Sequence, residues 1–221
     1  MGIVSFTFDD FPYSAAVGAA DILDAHGIKG TFYLSPGLIN RIIPGIEDKP
    51  STHAEIMKVT NKGHEIGFHS RKHLRLNELG YFDVAKQMFQ GSQIKKYTGR
   101  KAVSFSYPFG CTYPKRFDMI ARLLGYKTTR GIDFGVNKVS DRYDLNAVAI
   151  YEHKISLKII EALLKSLKPD EWMILYTHDV RDNFSKYGCS EFFFKQIVEM
   201  VVESQMEILA LEDVVHPKKD L

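Results

Sequence analysis

Ile3–Asp10 reads IVSFTFDD: apolar and polar residues alternate over six positions and then run into two carboxylates. Period-two alternation marks a β-strand whose two faces meet different surroundings. The acids stand where that strand ends, at its carboxyl terminus. The pattern recurs along the chain. Thr31–Leu34 (TFYL) is the next strand, broken by Pro36-Gly37, and Glu65–Phe68 is a short strand delivering His69. Ala102–Tyr107 runs into Pro108-Phe109-Gly110, and Lys127–Thr129 and Ala147–Ile150 follow. Trp172–Thr177 (WMILYT) reads as a buried strand that delivers His178, and Glu207–Leu211 as a final strand.

Helical stretches fall between these strands. Ser14–His26 is closed by Gly27 as a C-cap. Thr52 and Glu55 form a capping box that opens a helix to Asn61. Phe82–Tyr97 is expected as one long helix, with others over Pro114–Leu124, Ser156–Leu167 and Glu191–Ser204; Asp133–Asp144 is polar and reads as a loop. Such alternation calls for parallel strands joined by crossover helices. A β/α barrel and a doubly wound open sheet both satisfy it. A barrel gathers every strand's carboxyl end on one face, whereas an open sheet spreads them along an edge. Four strands end in chemically able groups, so the expectation is a barrel.

The 221 residues fit one domain, residues 1–221, with no repeat, linker or low-complexity tract. Apolar residues make up 45% and charged residues 25%, the balance of an ordinary globular protein. A net charge of +2 with scattered lysines argues against nucleic acid or an anionic membrane as the main partner. No apolar run is long enough to span a bilayer. The first residues enter a strand rather than a basic and apolar leader, so a cytoplasmic location is expected. Cys111 and Cys189 make neither a disulfide framework nor a C-x-x-C pair.

Adjacent acids after a strand often cap the next helix. Asp9-Asp10 can also divide two tasks, one carboxylate anchoring a cation and the other free to take a proton. His69 and His73 are four apart in HSRKH, a spacing that on a helical turn puts both imidazoles within reach of one metal ion. His64-Glu65 precedes His69 by one residue too many for the zinc-protease helix motif. Two histidines and an aspartate would leave positions open for water and substrate; zinc suits them, and cobalt, nickel, manganese and iron also fit. His178 sits on the same face and is a candidate general acid, followed by Asp179. Cys111 is read as a small filler at a pocket rim rather than a nucleophile, and Phe192-Phe193-Phe194 as core packing. Tyr107, Phe109 and Tyr113 are the better candidates for an aromatic platform; solvated charge is the default for Arg71 and Lys72, with contact to an anionic group the alternative.

These residues also carry a resemblance. TFDD at Thr7–Asp10 resembles the first motif of the NodB-type polysaccharide deacetylases, carbohydrate esterase family 4. Thr31-Phe32-Tyr33 with Pro36-Gly37 is similar to the family's second strand, and GHEIGFHSRKH, Gly63 to His73, to its metal-binding motif. Tyr107–Gly110 resembles the core of the third motif, and Ile174–His178 the last. The motif order is the family's over nearly the whole chain.

The resemblance implies a distorted, often incomplete (β/α)7 barrel and a metal-dependent hydrolase that removes an N-acetyl group from an amino sugar. It implies Asp10, His69 and His73 as ligands of one divalent metal, zinc first. Asp9 would be the general base and His178 the general acid, with Tyr107, Pro108, Phe109 and Gly110 forming the oxyanion and substrate groove. Two departures stand out. The third motif usually begins with an arginine that pairs with the base aspartate, and here that position is Ser106. The acidic fourth motif is not recognisable; Asp133, Asp141 and Asp144 are candidates for its acids, and Asp179 for orienting His178. An amidohydrolase acting on a small non-sugar C–N bond, or a sugar-binding relative with impaired catalysis, are the alternatives.

Overall fold

The computed structural model describes residues 1–90, 93–110 and 115–216. Strands β1 (Ile3–Phe8), β2 (Thr31–Leu34), β3 (Glu65–Phe68), β4 (Ser104–Ser106) and β5 (Thr128–Arg130) lie side by side in chain order, all parallel. β6 (Asn137–Lys138) and β7 (Val148–Ala149) follow, then β8 (Glu171–Thr177), which pairs in parallel with the whole of β1. β7 lies on the other edge of β8, also parallel, and β6 pairs antiparallel with the start of β8. β9 (Glu207–Ile208) takes the lower half of the β1 edge whose upper half pairs with β2.

The sheet curls until its ends nearly meet. Just before β7, Leu145 forms a bridge to Arg130 of β5. Its amide donates to the Thr129 carbonyl at 2.9 Å, and its carbonyl accepts from the Gly131 amide at 2.9 Å. Seven parallel strands thus form a distorted, incomplete (β/α)7 barrel with one slender seam.

The alternation of β1 is explained by two cores. Val4, Phe6 and Phe8 join the large cluster between sheet and helices, with Phe32, Phe68, Phe105 and Phe194. The lumen is smaller and carries polar groups among Ile3, Tyr33, Trp172, Ile174 and Tyr176. Polar groups there find partners across strands: the Trp172 indole donates to Ser5 Oγ at 2.9 Å, and Thr7 Oγ1 to the Leu175 carbonyl at 3.0 Å. Burial without such bonds would cost about 1–3 kcal/mol per group.

The helices cover the outside. α1 (Ala20–Ala25) continues a π-helical Ala15–Ala19, and Gly27 at φ 69° follows it. α2 (His53–Asn61) opens with the expected capping box, Ala54 N–H to Thr52 Oγ1 at 3.1 Å and Thr52 N–H to Glu55 Oε2 at 2.7 Å. The long helix expected over Phe82–Tyr97 is instead two, α3 (Tyr81–Met88) and α4 (Lys95–Thr98). The extended Phe89 ends the first, and the Gln90 side chain turns aside to bond both backbone groups of Ala102. α5 (Lys115–Leu123), α6 (Leu157–Ser166) and α7 (Glu191–Glu203) match the sequence pattern closely. The final strand is shorter than expected, because Leu211 already begins α8 (Leu211–Val215). No helix among the described residues is long and apolar enough to cross a membrane.

Candidate active site

Asp9 and Asp10 follow the end of β1, Asp10 in the left-handed region at φ 65°, and both line one cleft. Backbone strain of this kind concentrates at functional sites. Of the nine non-glycine residues at positive φ among the described residues, Asp10, His73 and Phe109 line this one cleft, and Phe11 and Ser70 directly follow Asp10 and His69.

His69 and His73 do not lie on a helical turn, contrary to the expectation from their spacing. The segment after β3 is irregular, and Ser70 and His73, at φ 62° and 52°, fold it back so that both rings converge. Neighbours fix that loop. Ser35 Oγ lies 2.8 Å from the Ser70 carbonyl and 3.1 Å from that of His69. The Gly37 amide donates to the Arg71 carbonyl at 2.8 Å, an approach so close that a Cβ on Gly37 would meet that oxygen at 2.8 Å. Gln87 accepts from the Arg71 amide through its carbonyl and from the Lys72 amide through its side chain.

Asp10 Oδ1 lies 2.9 Å from His73 Nε2 and 3.3 Å from His69 Nε2, and Asp10 Oδ2 lies 3.9 Å from His178 Nε2. One ligand atom each from Asp10, His69 and His73 falls within 4.8 Å of the others. This arrangement fits a cation on chemical grounds. His69 Nδ1 is 2.7 Å from the Ser106 carbonyl, which can only accept, so that nitrogen carries the hydrogen. The neutral ring then presents a lone pair at Nε2 to a carboxylate oxygen, and Asp10 Oδ1 is buried with no hydrogen-bond donor. Facing lone pairs need a positive charge between them. In its absence the same demand falls on the ring: burial disfavours charge on His69, but Asp10 and Asp9 lift its pKa above the ordinary value.

Asp9 is the residue whose surroundings the sequence did not reveal. Burial works to raise its pKa, yet the carboxyl is held below the usual range, first by the Arg130 guanidinium and then by His69 and His178. Arg130 ends β5 and is wholly buried. It donates from Nη2 to Asp9 Oδ1 and, at 2.7 Å, to Ser106 Oγ, which itself donates to Asp9 Oδ1 at 3.2 Å. Nη1 donates to the Gly131 carbonyl at 2.9 Å, and the Tyr33 and Tyr176 rings face the guanidinium at 5.1 and 5.0 Å. The available sequence signal was an arginine at a strand's carboxyl end, opposite a serine where an arginine was expected.

His178 ends β8, its amide donating to the Tyr187 carbonyl at 3.1 Å. Tyr151 Oη stands 3.5 Å from Nδ1, and the Tyr151 and Tyr187 rings flank the imidazole at 5.9 and 5.4 Å. Burial lowers the His178 pKa, opposed by Asp10 and Asp9. Asp179 does not orient it. That carboxylate is buried on the other side, accepting from the Ser185 amide and hydroxyl at 2.7 Å each and from Arg181 Nε at 3.1 Å, and so ties down its own loop. Asp133, Asp141 and Asp144 are also absent from the cleft; Asp141 Oδ2 accepts from the Lys138 amide instead.

These groups line a cleft of about 480 Å³ together with Leu38, Ile43, Ile46, Lys72, Arg75, Phe109, Gly110, Ile132, Tyr176 and Tyr187. That volume lies within the range of small-molecule sites. Phe109, 46% exposed and at φ 61°, rests its ring on His73 at 4.6 Å and carries the Arg75 guanidinium at 4.3 Å. Two of the expected groove residues lie elsewhere. Pro108 is buried, and so is Tyr107, whose hydroxyl donates to Asp118 at 3.0 Å rather than reaching the cleft. Cys111 and Tyr113 lie outside the described residues. Cys189 is buried and unpaired, and Phe193 and Phe194 are core, while Phe192 is exposed.

Known proteins with this pattern are now informative. A family model described as polysaccharide deacetylase matches residues 2–129. A chitin deacetylase of Arthroderma benhamiae is 30% identical over 88 residues, which is 39% of this chain but only 22% of that protein. Among solved structures, a peptidoglycan N-acetylglucosamine deacetylase superposes with a TM-score of 0.68 at 15% identity, over 99% of this chain and 90% of the other. A family 4 acetyl xylan esterase from Clostridium thermocellum, in complex with a cobalt ion, gives 0.63 at 21% identity, over 96% and 89%. A pseudoenzyme of carbohydrate esterase family 4 from Bacillus anthracis shares the fold as well, with a TM-score of 0.66 at 13% identity over 96% of this chain and 65% of that one. On the strength of the family match, with these structures agreeing in fold, the chain belongs to the NodB-type polysaccharide deacetylases, carbohydrate esterase family 4.

Proposed function

We propose that this protein hydrolyses the N-acetyl group of an amino sugar in an oligosaccharide, a polysaccharide or its precursor, as a metal-dependent deacetylase. One observation carries the reading: a carboxylate held by an arginine, an Asp-His-His ligand set and a further histidine share one cleft. A cleft that only bound sugar would have no need of all of them.

Asp10, His69 and His73 would hold the divalent cation, with zinc the first choice for two imidazoles and a carboxylate. When bound it supplies Lewis acidity to the acetyl carbonyl and to the attacking water. Asp9 takes a proton from that water as its oxygen adds to the carbonyl carbon. The backbone N–H of Phe109 donates to the oxygen on which negative charge develops. His178 gives a proton to the sugar nitrogen as the C–N bond breaks, and acetate and a free amine leave. Phe109 offers a sugar ring an apolar face at the cleft mouth.

The test is acetate release from N-acetylglucosamine oligomers by zinc- or cobalt-loaded protein, beside the Asp9→Asn variant. Release by the wild type, reduced about a thousandfold or more in the variant, is expected. Equal release by both proteins overturns the assignment of Asp9, and saccharide binding without release by the loaded wild type overturns the hydrolase reading.

A further inference from the structure

Arg130 and Ser106 are register partners on the parallel strands β5 and β4. Their side chains therefore enter the lumen side by side, and both meet Asp9 Oδ1. A wholly buried guanidinium without a carboxylate would be among the costliest groups in the molecule. Among the described residues its charge is matched by Asp9, with Ser106, the Gly131 carbonyl and two tyrosine rings around it. Asp9 Oδ2 takes no hydrogen bond among the described residues, and Asp9 lines the cleft. One oxygen is tied and the other is left to the reaction.

We propose that Arg130 is the positioning residue for Asp9, taking over from the neighbouring strand the task of an arginine at position 106. The serine at 106 and the arginine at 130 form one unit. The small residue leaves the space that the guanidinium occupies, and its hydroxyl links the guanidinium to the carboxylate. Arg130 acts only through Asp9, and the inference rests on the reading of Asp9 as the base.

The experiment is an exchange of the pair. Arg130→Ser, Ser106→Arg and the double variant S106R/R130S are compared with wild type and Asp9→Asn, for metal-loaded acetate release and for thermal unfolding. Arg130→Ser is expected to lose about a hundredfold in kcat with KM within about threefold, the cost of a base displaced by about 1 Å. Its Tm is expected to fall by about 10 °C, the effect of breaking a buried ion pair in a chain of this size. The double variant is expected to regain most of both, and Asp9→Asn added to it to remove both gains.

Arg130→Lys serves if Arg130→Ser does not fold, and is expected to keep the Tm within a few degrees while losing kcat. A folded Arg130→Ser enzyme with wild-type kcat overturns the proposal, and so does a double variant no better than Arg130→Ser in both readouts. Wild-type turnover by Asp9→Asn instead sinks the underlying assignment of the base. Because unfolding also reports the exchange, the two failures remain distinguishable.

Discussion

His69 donates its Nδ1 hydrogen to the Ser106 carbonyl at 2.7 Å, so the strand that lacks the expected arginine side chain still sets the tautomer of a candidate ligand histidine. Outer partners of this kind orient a ligand and raise its basicity. The expected outcome is tight binding of one zinc or cobalt ion per chain, with Tm rising by about 5–10 °C at a hundredfold excess over Kd. Asp10→Ala and His73→Ala should each abolish the rise. Titration calorimetry with metal content checks it, and an unchanged Tm with no bound ion in the wild type contradicts it.

Gly37 reports on the same loop from outside. Its Cα stands so near Arg71 that Gly37→Ala forces the backbone of residues 71 and 72 outward. Metal affinity should drop about 10- to 100-fold, because the loop that carries His69 and His73 shifts, with a smaller proportional change in apo stability. Competition with a chelator of known affinity measures this; an unaltered affinity in the folded variant refutes the buttress.

Two residues next to each other, His178 and Asp179, should separate chemistry from stability. His178→Ala is expected to lose about 100- to 10,000-fold in kcat with its Tm within a few degrees of wild type. Asp179→Asn weakens the bonds to Ser185 and Arg181 and should cost about 1.5–3 kcal/mol of stability while keeping kcat within about threefold. Denaturant melts and initial rates on both variants decide. A reversed pattern would make Asp179 the partner of the acid after all.

Glu65, below the site in the lumen, predicts a pH effect. Burial first, and the Glu212 carboxylate second, raise it from the ordinary 4.5 to about 7. Between those values the folded chain holds more protons than the unfolded chain, so this group's contribution falls as pH rises, and the loss is complete above about pH 7. Thr31, Ser104 and the Glu212 amide donate to the carboxylate. Glu65→Gln should flatten the dependence, gaining about 1–3 kcal/mol on wild type between pH 5 and pH 8. Urea unfolding at both values gives the comparison, and parallel shifts in the two proteins would exclude it.

Much of this arrangement was legible in the chain because strand ends carry the chemistry. IVSFTFDD gave a strand, its two faces and both carboxylates from eight residues, and His69 and His178 followed by the same rule. What the chain did not reveal is relational. Nothing local to Thr128–Arg130 tells that its register sets Arg130 beside Ser106, and nothing in HSRKH tells that two left-handed residues, not a helical turn, converge the rings. The long helix failed for a similar reason: its apolar period reaches Phe89, but the Gln90 side chain bonds both backbone groups of Ala102. Tyr107 was placed in the groove by its position beside Pro108-Phe109-Gly110, and adjacency in the chain cannot tell that its hydroxyl turns to Asp118.

The seam at Leu145 acquires a meaning beyond architecture. The residue that steadies Asp9 is itself one half of a bridge that joins the two ends of the curled sheet. Closure of the barrel and the holding of the base therefore run through one residue. A weakened clasp at Leu145 or Gly131 is therefore expected to lower turnover as well as Tm, so the rate of the reaction gauges how tightly the two ends of the sheet are joined.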